Sequence, residues 1–131
     1  MKRKRVEDLM SRAVISLKER DIMQIAKLDM DIAGIRHIPV VDEQQRVVGI
    51  VSSSDLLQAF ARHERRAIPV SEIMQRQVVT VHRKLPAHEA ARIMRERKIG
   101  ALPVLGDRDR LEGVVTATDF LRVAEQALQG A

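Results

Sequence analysis

The stretch GIVSSSDLL at Gly49–Leu57 returns as GVVTATDFL at Gly113–Leu121. It belongs to a longer repeat, because residues 6–60 and 70–124 align without a gap at a constant offset of 64. A unit of that length is small for an independent core, so two copies packed together are expected to bury their apolar faces. The chain is therefore predicted to consist of two related halves.

The repeat extends on the amino-terminal side of that stretch. VEDLM (Val6–Met10) matches VSEIM (Val70–Met74), and RHIPVV (Arg36–Val41) matches GALPVL (Gly100–Leu105). We accordingly divide the chain into a first repeat with a basic amino-terminal arm, 1–64, and a second repeat, 65–131.

The composition is that of a single globular protein in a reducing compartment. Apolar residues make up 45% and charged residues 31%, enough for a core and a polar surface. With no cysteine, there is no disulfide framework and no thiolate chemistry. No window approaches 18 consecutive apolar residues, so no membrane span is predicted. We expect a cytoplasmic location.

Each repeat predicts a short strand, a helix, a hairpin of two strands and a closing helix. The β-branched residues of Val14–Leu17 and Val78–Val81 favour a short strand or an extended segment. The hairpin strands are predicted at Ile38–Val41 with Val47–Val51, and at Leu102–Leu105 with Leu111–Val115.

The first helix of each repeat is predicted from its ends and its apolar stripe. Asp21 can cap the first copy with Gln24 as its capping-box partner, and Pro86 suits the first turn of the second. Gly34 and Gly100 suit left-handed caps at the carboxyl ends. The buried faces are predicted to consist of Ile22, Ile25, Ala26, Met30 and Ala33, and of Ala87, Ala90, Ala91, Met94 and Arg97.

Signals for catalysis are absent from the sequence. There is no Gly-x-Ser-x-Gly elbow, no His-Glu-x-x-His helix and no phosphate-binding glycine loop. The histidines lack acids or cysteines at metal-ligand spacing; they are His37, His63, His82 and His88. We therefore predict no enzymatic activity, no metal and no catalytic cofactor.

The recurring motif is Gly-Φ-Φ-Ser/Thr-x-Ser/Thr-Asp, where Φ is apolar and a strand passes into a helix. One interpretation is local, because hydroxyls and an aspartate cap helices, here at Ser54-Asp55 and Thr118-Asp119. The other is functional: each anionic aspartate accepts two hydrogen bonds from a vicinal diol, while the hydroxyls and free helix N–H groups face phosphate oxygens. A ribose phosphate offers both groups, and capping and binding can coexist.

Taken together, these motifs resemble a tandem pair of CBS domains, the regulatory Bateman module. Both halves carry, in order, that family's Φ-x-x-Met, its extended stretch, its amphipathic helix, x-x-Φ-Pro-Val-Val-Asp and Gly-Φ-Φ-Ser/Thr-x-x-Asp-Φ-Φ. The resemblance implies a mixed α+β fold of two β-α-β-β-α units, packed sheet to sheet with pseudo-twofold symmetry. It also implies clefts between the repeats for adenosine-containing ligands: AMP, ADP, ATP or S-adenosylmethionine.

The same resemblance implies roles for particular residues. Asp55 and Asp119 would hold ribose hydroxyls, one in each cleft. Arg36 and His37 would bind phosphate charge, with solvated loop cations as the alternative. Because Gly100 and Ala101 replace that basic pair, the two clefts are not expected to be equivalent. Ser52, Ser54, Thr116 and Thr118 would contact ribose or phosphate, and Ile38, Ala101, Leu102, Val14, Ile15, Val78 and Val79 would line the pockets.

The leading hypothesis is a stand-alone regulatory module whose conformation or partner interaction changes when a nucleotide binds. The resemblance further implies a homodimer formed through the helices, and a regulated protein in trans. One alternative is a dimeric scaffold with vestigial clefts. Another is a basic nucleic-acid-associated protein using Lys2–Arg5 and Arg62–Arg66, suggested by the net charge of +5. The chain has only two aromatic residues for stacking on bases, and its basic residues are mixed with acidic ones; both observations weigh against that alternative.

Overall fold

The computed structural model describes residues 3–12 and 14–130, so part of the predicted basic arm, Lys2, lies outside the described residues.

The chain divides into two compact units. The central unit is the continuous stretch Ile15–Val78, and the terminal unit joins Met1–Val14 to Val79–Ala131. In chain order the elements are α1 (Val6–Leu9), β1 (Leu17–Lys18), α2 (Met23–Ala33), β2 (His37–Val41), β3 (Val47–Ser52), α3 (Ser53–His63), β4 (Val81–His82), α4 (Ala87–Arg97), β5 (Ala101–Leu105), β6 (Leu111–Thr116) and α5 (Ala117–Gln129).

Each unit contains one three-stranded sheet with the same topology. The strand orders are β1-β2-β3 and β4-β5-β6, with the first pair parallel and the hairpin antiparallel. Both hairpins shift register at the same place, between Val40 and Val41 and between Val104 and Leu105. The predicted order β-α-β-β-α is confirmed in both repeats, and so is the mixed α+β class.

The short strands begin later than the sequence predicted. Only Leu17–Lys18 and Val81–His82 are strands, because they alone have partners, Val40–Val41 and Val104–Leu105. Of the two alternatives predicted for Val14–Leu17 and Val78–Val81, the strand is therefore wrong except at the last residue of each stretch. Val14 and its counterpart Val78 are half-buried outside the sheet.

The predicted cap of α2 is also wrong. The helix begins at Met23 after Ile22, which offers no side-chain cap. The Asp21 carboxylate instead accepts the Lys18 N–H at 2.8 Å, and the Gln24 amide donates to the Arg66 carbonyl at 3.0 Å. A backbone group from far along the chain satisfies the helix start, since the Met23 N–H donates to the Ile68 carbonyl at 2.8 Å.

The buried face of α2 differs from its predicted stripe, whereas that of α4 largely agrees. The buried residues of α2 are Met23, Ala26 and Met30, while Ile25 is 42% exposed and Ala33 is exposed. In α4 the buried residues are Ala87, Ala90 and Met94, whereas Ala91 is half-buried and Arg97 is exposed. Spacing alone leaves the rotation of a helix uncertain by one residue, and packing on the sheet determines it.

The carboxyl ends of α2 and α4 are capped by different residue types. Gly34 has φ +67°, as predicted, but the left-handed residue of α4 is Lys98, with φ +56°. Both helices have 11 residues, and Lys98 is the position 64 residues after Gly34. The prediction for Gly100 is therefore wrong, because helix length places the cap two residues earlier.

Two lead segments, Lys4–Ser11 and Ile68–Gln75, each complete the unit in which they lie. Ser11 exchanges two backbone hydrogen bonds with Val114 of β6, at 3.0 and 3.1 Å. Gln75 does the same with Ile50 of β3, at 2.9 and 3.0 Å. The lead segment at the start of the second repeat therefore packs in the central unit, on the body of the first repeat, and the lead segment of the first repeat packs in the terminal unit.

The identical residues of the repeat meet at these contacts. A Cβ atom built on Gly49 would lie 2.3 Å from the Met74 sulfur, and one on Gly113 would lie 2.5 Å from the Met10 sulfur. Glycine is needed at both strands because the methionine occupies the space of a side chain. The boundary at residue 64 divides the sequence repeats, whereas the compact units are divided after Val14 and after Val78. The boundary at residue 64 therefore stays a prediction.

Each unit has its own apolar core. Ile38, Val40 and Val51 have no exposed surface in the central unit, and Leu102, Val104 and Val115 occupy the equivalent positions in the terminal unit. Within the described residues, no helix combines the length and apolar character needed to cross a membrane.

Candidate functional site

In the central unit, the start of the hairpin and the start of α3 are held together. The Ser53 N–H donates to the Arg36 carbonyl at 2.9 Å, and His37 pairs with Ser52 across β2 and β3. This pairing brings four predicted site residues to one edge of the sheet: Arg36, His37, Ser52 and Asp55.

Asp55 is the third residue of α3 and closes a reciprocal capping box with Ser52. Its Oδ2 accepts the Ser52 N–H at 2.8 Å, and the Ser52 hydroxyl oxygen accepts the Asp55 N–H at 3.1 Å. The predicted cap at Ser54 is wrong, because Ser54 lies within the first turn and is exposed. The other carboxylate oxygen, Oδ1, accepts the Gln75 side-chain amide at 3.2 Å.

The terminal unit repeats this arrangement with different partners. The Ala117 N–H donates to the Gly100 carbonyl at 3.0 Å, which joins β5 to the start of α5. The Asp119 Oδ2 accepts the Thr116 N–H at 2.8 Å and the Thr116 hydroxyl at 3.2 Å. The residue before α5 is Thr116, so the cap predicted at Thr118 is wrong, and Thr118 is exposed.

A guanidinium takes the place of the glutamine amide in the terminal unit. Arg122 Nη1 lies 3.5 Å from Asp119 Oδ1, and the arginine side chain is 62% exposed. An exposed ion pair of this kind contributes about 0–1 kcal/mol, so it holds the carboxylate weakly.

The surroundings of His37 favour its neutral form. Burial lowers its pKa below the usual 6.5, the Asp55 carboxylate opposes that shift, and the Arg36 charge lowers the pKa further. A neutral imidazole has one donor and one acceptor nitrogen, so His37 beside Asp55 offers hydrogen bonds rather than a full charge.

Arg36 lines a groove of about 690 Å³ within the central unit. Residues of α2 and α3 form much of its wall, including Lys27, Asp31, Leu56, Leu57 and Phe60. The groove therefore combines two cations, one carboxylate and an apolar floor.

The predicted apolar lining residues differ in how far they are buried. Ile38 and Leu102 are fully buried in the cores and Ala101 is 7% exposed, so these positions have little side-chain surface to offer. Ile15 and Val79 are half-buried against the cores of their units. The predicted set is thus divided between fully buried core residues and half-buried residues that pack against the cores.

Two residues beside the aspartates were not predicted. Gln75 lies 20 residues from Asp55 in sequence, and no motif marks an amide at that position. Arg122 could have been found, because it follows Asp119 by three residues on the same helix and such pairs are neighbours.

Metal-binding side chains do not converge in the part of the chain that the structure describes. Across residues 3–12 and 14–130, no three histidine, cysteine, aspartate or glutamate side chains come together as ligands.

Comparison with known proteins identifies one family. The model of the CBS domain matches residues 6–62 and 70–126. A CBS domain-containing protein of Dictyostelium discoideum is 32% identical over 135 residues, which cover 95% of this chain and 93% of the relative.

The chain is also similar to part of a larger protein. The L-aspartate semialdehyde sulfurtransferase of Methanocaldococcus jannaschii is 34% identical over 119 residues. The match covers 90% of this chain but only 23% of the sulfurtransferase, so the chain spans less than a quarter of that relative's length.

A solved structure of similar fold contains adenosine ligands. The CBS domain pair of protein MJ0100, in complex with 5′-methylthioadenosine and S-adenosyl-L-methionine, superposes with a TM-score of 0.87 at 30% identity. The superposition covers 96% of this chain and 99% of that one.

Proposed function

The chain belongs to the CBS domain family, and from that premise we propose that it is a regulatory module that binds an adenosine-containing ligand. The observation that carries the proposal is the repeated pairing of Asp55 with Ser52 and of Asp119 with Thr116, each beside the first residues of a hairpin. The ligand class includes AMP, ADP, ATP and S-adenosylmethionine. The related MJ0100 domain pair holds two adenosine compounds, which supports that class.

The chemistry of the two aspartates suits a ribose diol. Each carboxylate uses one oxygen, Oδ2, at the helix start, and its other oxygen, Oδ1, contacts an exposed side chain, Gln75 or Arg122. A carboxylate oxygen accepts O–H donors strongly because it carries charge. The exposed hydroxyls of Ser54 and Thr118 are suited to phosphate oxygens.

Binding is proposed rather than catalysis. The enzymes among the relatives match this chain over a small part of their own length, 23% for the sulfurtransferase. The shared part is the domain pair, so the reaction of the whole relative does not transfer to it. We propose that this pair acts on a protein in trans.

A homodimer is the assembly that the helix surfaces favour. Large apolar side chains are exposed on α2 and α3, with Ile32 at 76% and Leu57 at 73%, and on α5, with Leu121 at 68%. Exposed apolar groups gathered on helices are typical of a docking surface. We propose that a second copy of the chain covers them.

A scaffold without a ligand is the second candidate, and one observation favours it. Both aspartates already serve helix caps, so their recurrence in the two repeats has a purely structural explanation. The two candidates predict different responses to adenosine compounds.

Thermal unfolding of the full chain with AMP, ADP, ATP and S-adenosylmethionine separates the candidates. A ligand at 100 times its Kd stabilises the folded chain by about 2.7 kcal/mol, which raises the Tm. We expect at least one compound to raise it, and expect Asp55→Ala and Asp119→Ala together to abolish the ligand-induced shift.

Asp42→Ala is the matched control. Asp42 also accepts two backbone N–H groups, at 2.8 and 2.9 Å, but in the turn between β2 and β3. This variant should lower the Tm without ligand and leave the ligand-induced shift intact. Unchanged shifts in the double variant would show that the aspartates do not hold the ligand, and no shift with any compound would favour the scaffold.

A further inference from the structure

The Gln75 side chain donates a hydrogen bond to the Asp55 oxygen that the α3 cap does not use. Its amide donates to Asp55 Oδ1 at 3.2 Å, while Oδ2 holds the Ser52 N–H at 2.8 Å. Two backbone hydrogen bonds to Ile50 fix the Gln75 main chain beside β3, so the amide is held within reach of the carboxylate.

The terminal unit has the same backbone arrangement without the amide. Ser11 stands 64 residues before Gln75 and makes the same two backbone hydrogen bonds, with Val114. Among the described residues, Asp119 Oδ1 has a partner in Arg122, which approaches from its own helix rather than from a lead segment. The two aspartates therefore differ in the partner of Oδ1, which is an amide from a lead segment in the central unit and an exposed guanidinium from the same helix in the terminal unit.

We propose that Gln75 competes with the ribose diol for Asp55 and makes the central unit the weaker of two adenosine sites. The inference rests on the proposed function and deepens it by naming a residue that ranks the sites. A diol that donates to Asp55 Oδ1 competes with the Gln75 amide for the lone pairs of that oxygen, which weakens the hydrogen bond that the diol gains. One net hydrogen bond corresponds to about a two- to tenfold change in affinity, which is the difference that Gln75 imposes.

The experiment is calorimetric titration of the full chain with AMP, repeated with 5′-methylthioadenosine. The background is Asp119→Ala, which removes binding at the terminal site. In that background, Gln75→Ser gives the central unit the side chain that Ser11 provides in the terminal unit. We expect Kd to fall about two- to tenfold. Because Gln75 is exposed and its backbone pairing is kept, the Tm without ligand should change little.

The reciprocal graft provides the matched control. In an Asp55→Ala background, Ser11→Gln places the competing amide beside Asp119, and Kd should rise by a similar factor. A merely structural role for position 75 would change the Tm without ligand and would not predict opposite changes in affinity for the two grafts.

The outcomes separate this inference from the proposed function. Binding in both backgrounds with an affinity unaffected by Gln75→Ser would overturn the inference and leave the proposed function standing. Weaker binding by Gln75→Ser would also overturn it, since Gln75 would then contact the ligand. No heat with either compound, in either background or in the unaltered chain, would contradict the proposed function and this inference together.

Discussion

Lys98 carries backbone strain that its counterpart Gly34 avoids. Both residues end an 11-residue helix in the left-handed conformation, at φ +56° and +67°. For an L-residue this conformation costs about 1–2 kcal/mol, whereas glycine adopts it freely. The two helices thus provide a controlled comparison of one conformation with two residue types.

Replacing Lys98 with glycine should stabilise the chain by about 0.5–1 kcal/mol, after the greater freedom of glycine in the unfolded chain is subtracted. Lys98→Ala is the control and should change little, because alanine keeps the left-handed cost. The reverse variant Gly34→Ala should destabilise by about 1 kcal/mol through backbone conformation alone, since no atom lies within 4 Å of a Cβ built there. Urea denaturation measures all three, and equal stability of Lys98→Gly and Lys98→Ala would contradict the assignment.

His37 makes folding stability depend on pH. Its pKa in the folded chain is lowered from 6.5, chiefly by burial, so the unfolded chain binds the proton more readily. The stability that comes from neutral His37 is therefore fully present above about pH 6.5 and is lost as pH falls toward the lowered pKa. The nearby charges act in opposite directions, with Asp55 raising the pKa and Arg36 lowering it.

The variant His37→Gln should remove this loss. Thermal unfolding from pH 7.5 to 5.0 should show a steeper fall in Tm for the unaltered chain than for His37→Gln. The exposed His82 supplies the control, and His82→Gln should keep the steep fall. Parallel curves for the unaltered chain and His37→Gln would show that His37 titrates as it does in water.

The lead segment at the amino terminus stabilises elements that are far away in sequence. Val6 has no exposed surface and Met10 is 8% exposed, and both belong to the core of the terminal unit. Arg83 reinforces this attachment through an ion pair of 3.4 Å with Glu7. Burying one such apolar side chain stabilises the folded chain by about 1.5–3 kcal/mol, so the two side chains of this segment contribute substantially to the stability of the terminal unit.

Deleting residues 2–11 should therefore loosen the second repeat in the sequence more than the first. Hydrogen exchange followed by mass spectrometry should show at least a tenfold faster exchange in β5 and β6, with a smaller change in β2 and β3. Deleting residues 2 and 3 alone is the control and should leave both hairpins protected. Faster exchange confined to β2 and β3 would mean that the segment supports the other unit.

The exposed apolar residues of the helices bear on assembly of the whole molecule. In a symmetric dimer each substitution acts twice, so a charge in place of Leu57 removes about 3–6 kcal/mol of apolar burial. Every 1.4 kcal/mol is a tenfold change in the dissociation constant, so Leu57→Glu should weaken the dimer at least a hundredfold.

Sedimentation velocity at micromolar concentration measures this effect. We expect twice the chain mass for the unaltered protein and the single mass for Leu57→Glu. Gln58, an exposed neighbour on α3, is the control: Gln58→Glu introduces the same charge and should remain dimeric. A single mass for the unaltered chain would contradict the proposed homodimer.

The repeat, the hairpins and the helix order could be predicted from residue order because they depend on local patterns. A run such as Ile38–Val41 favours a strand wherever it packs, and hydroxyls beside an aspartate favour a helix start, although the capping residues are Ser52 and Thr116 rather than the predicted Ser54 and Thr118. The hairpin strands lie within one residue of their predicted bounds. The resemblance to CBS domains rested on the same local motifs, twice at one offset, and the family match confirms it.

Contacts between residues far apart in sequence determine three other features: where α2 begins, which residues form the short strands, and which side chain pairs with Asp55. Met23 finds its hydrogen-bond acceptor at Ile68, and Asp55 finds its amide at Gln75. Linear spacing holds no information about such partners, because a lead segment can pack on either repeat with the same local pattern. Local propensity thus determines which elements form, whereas long-range burial and hydrogen bonding determine which side chains meet at the two aspartates.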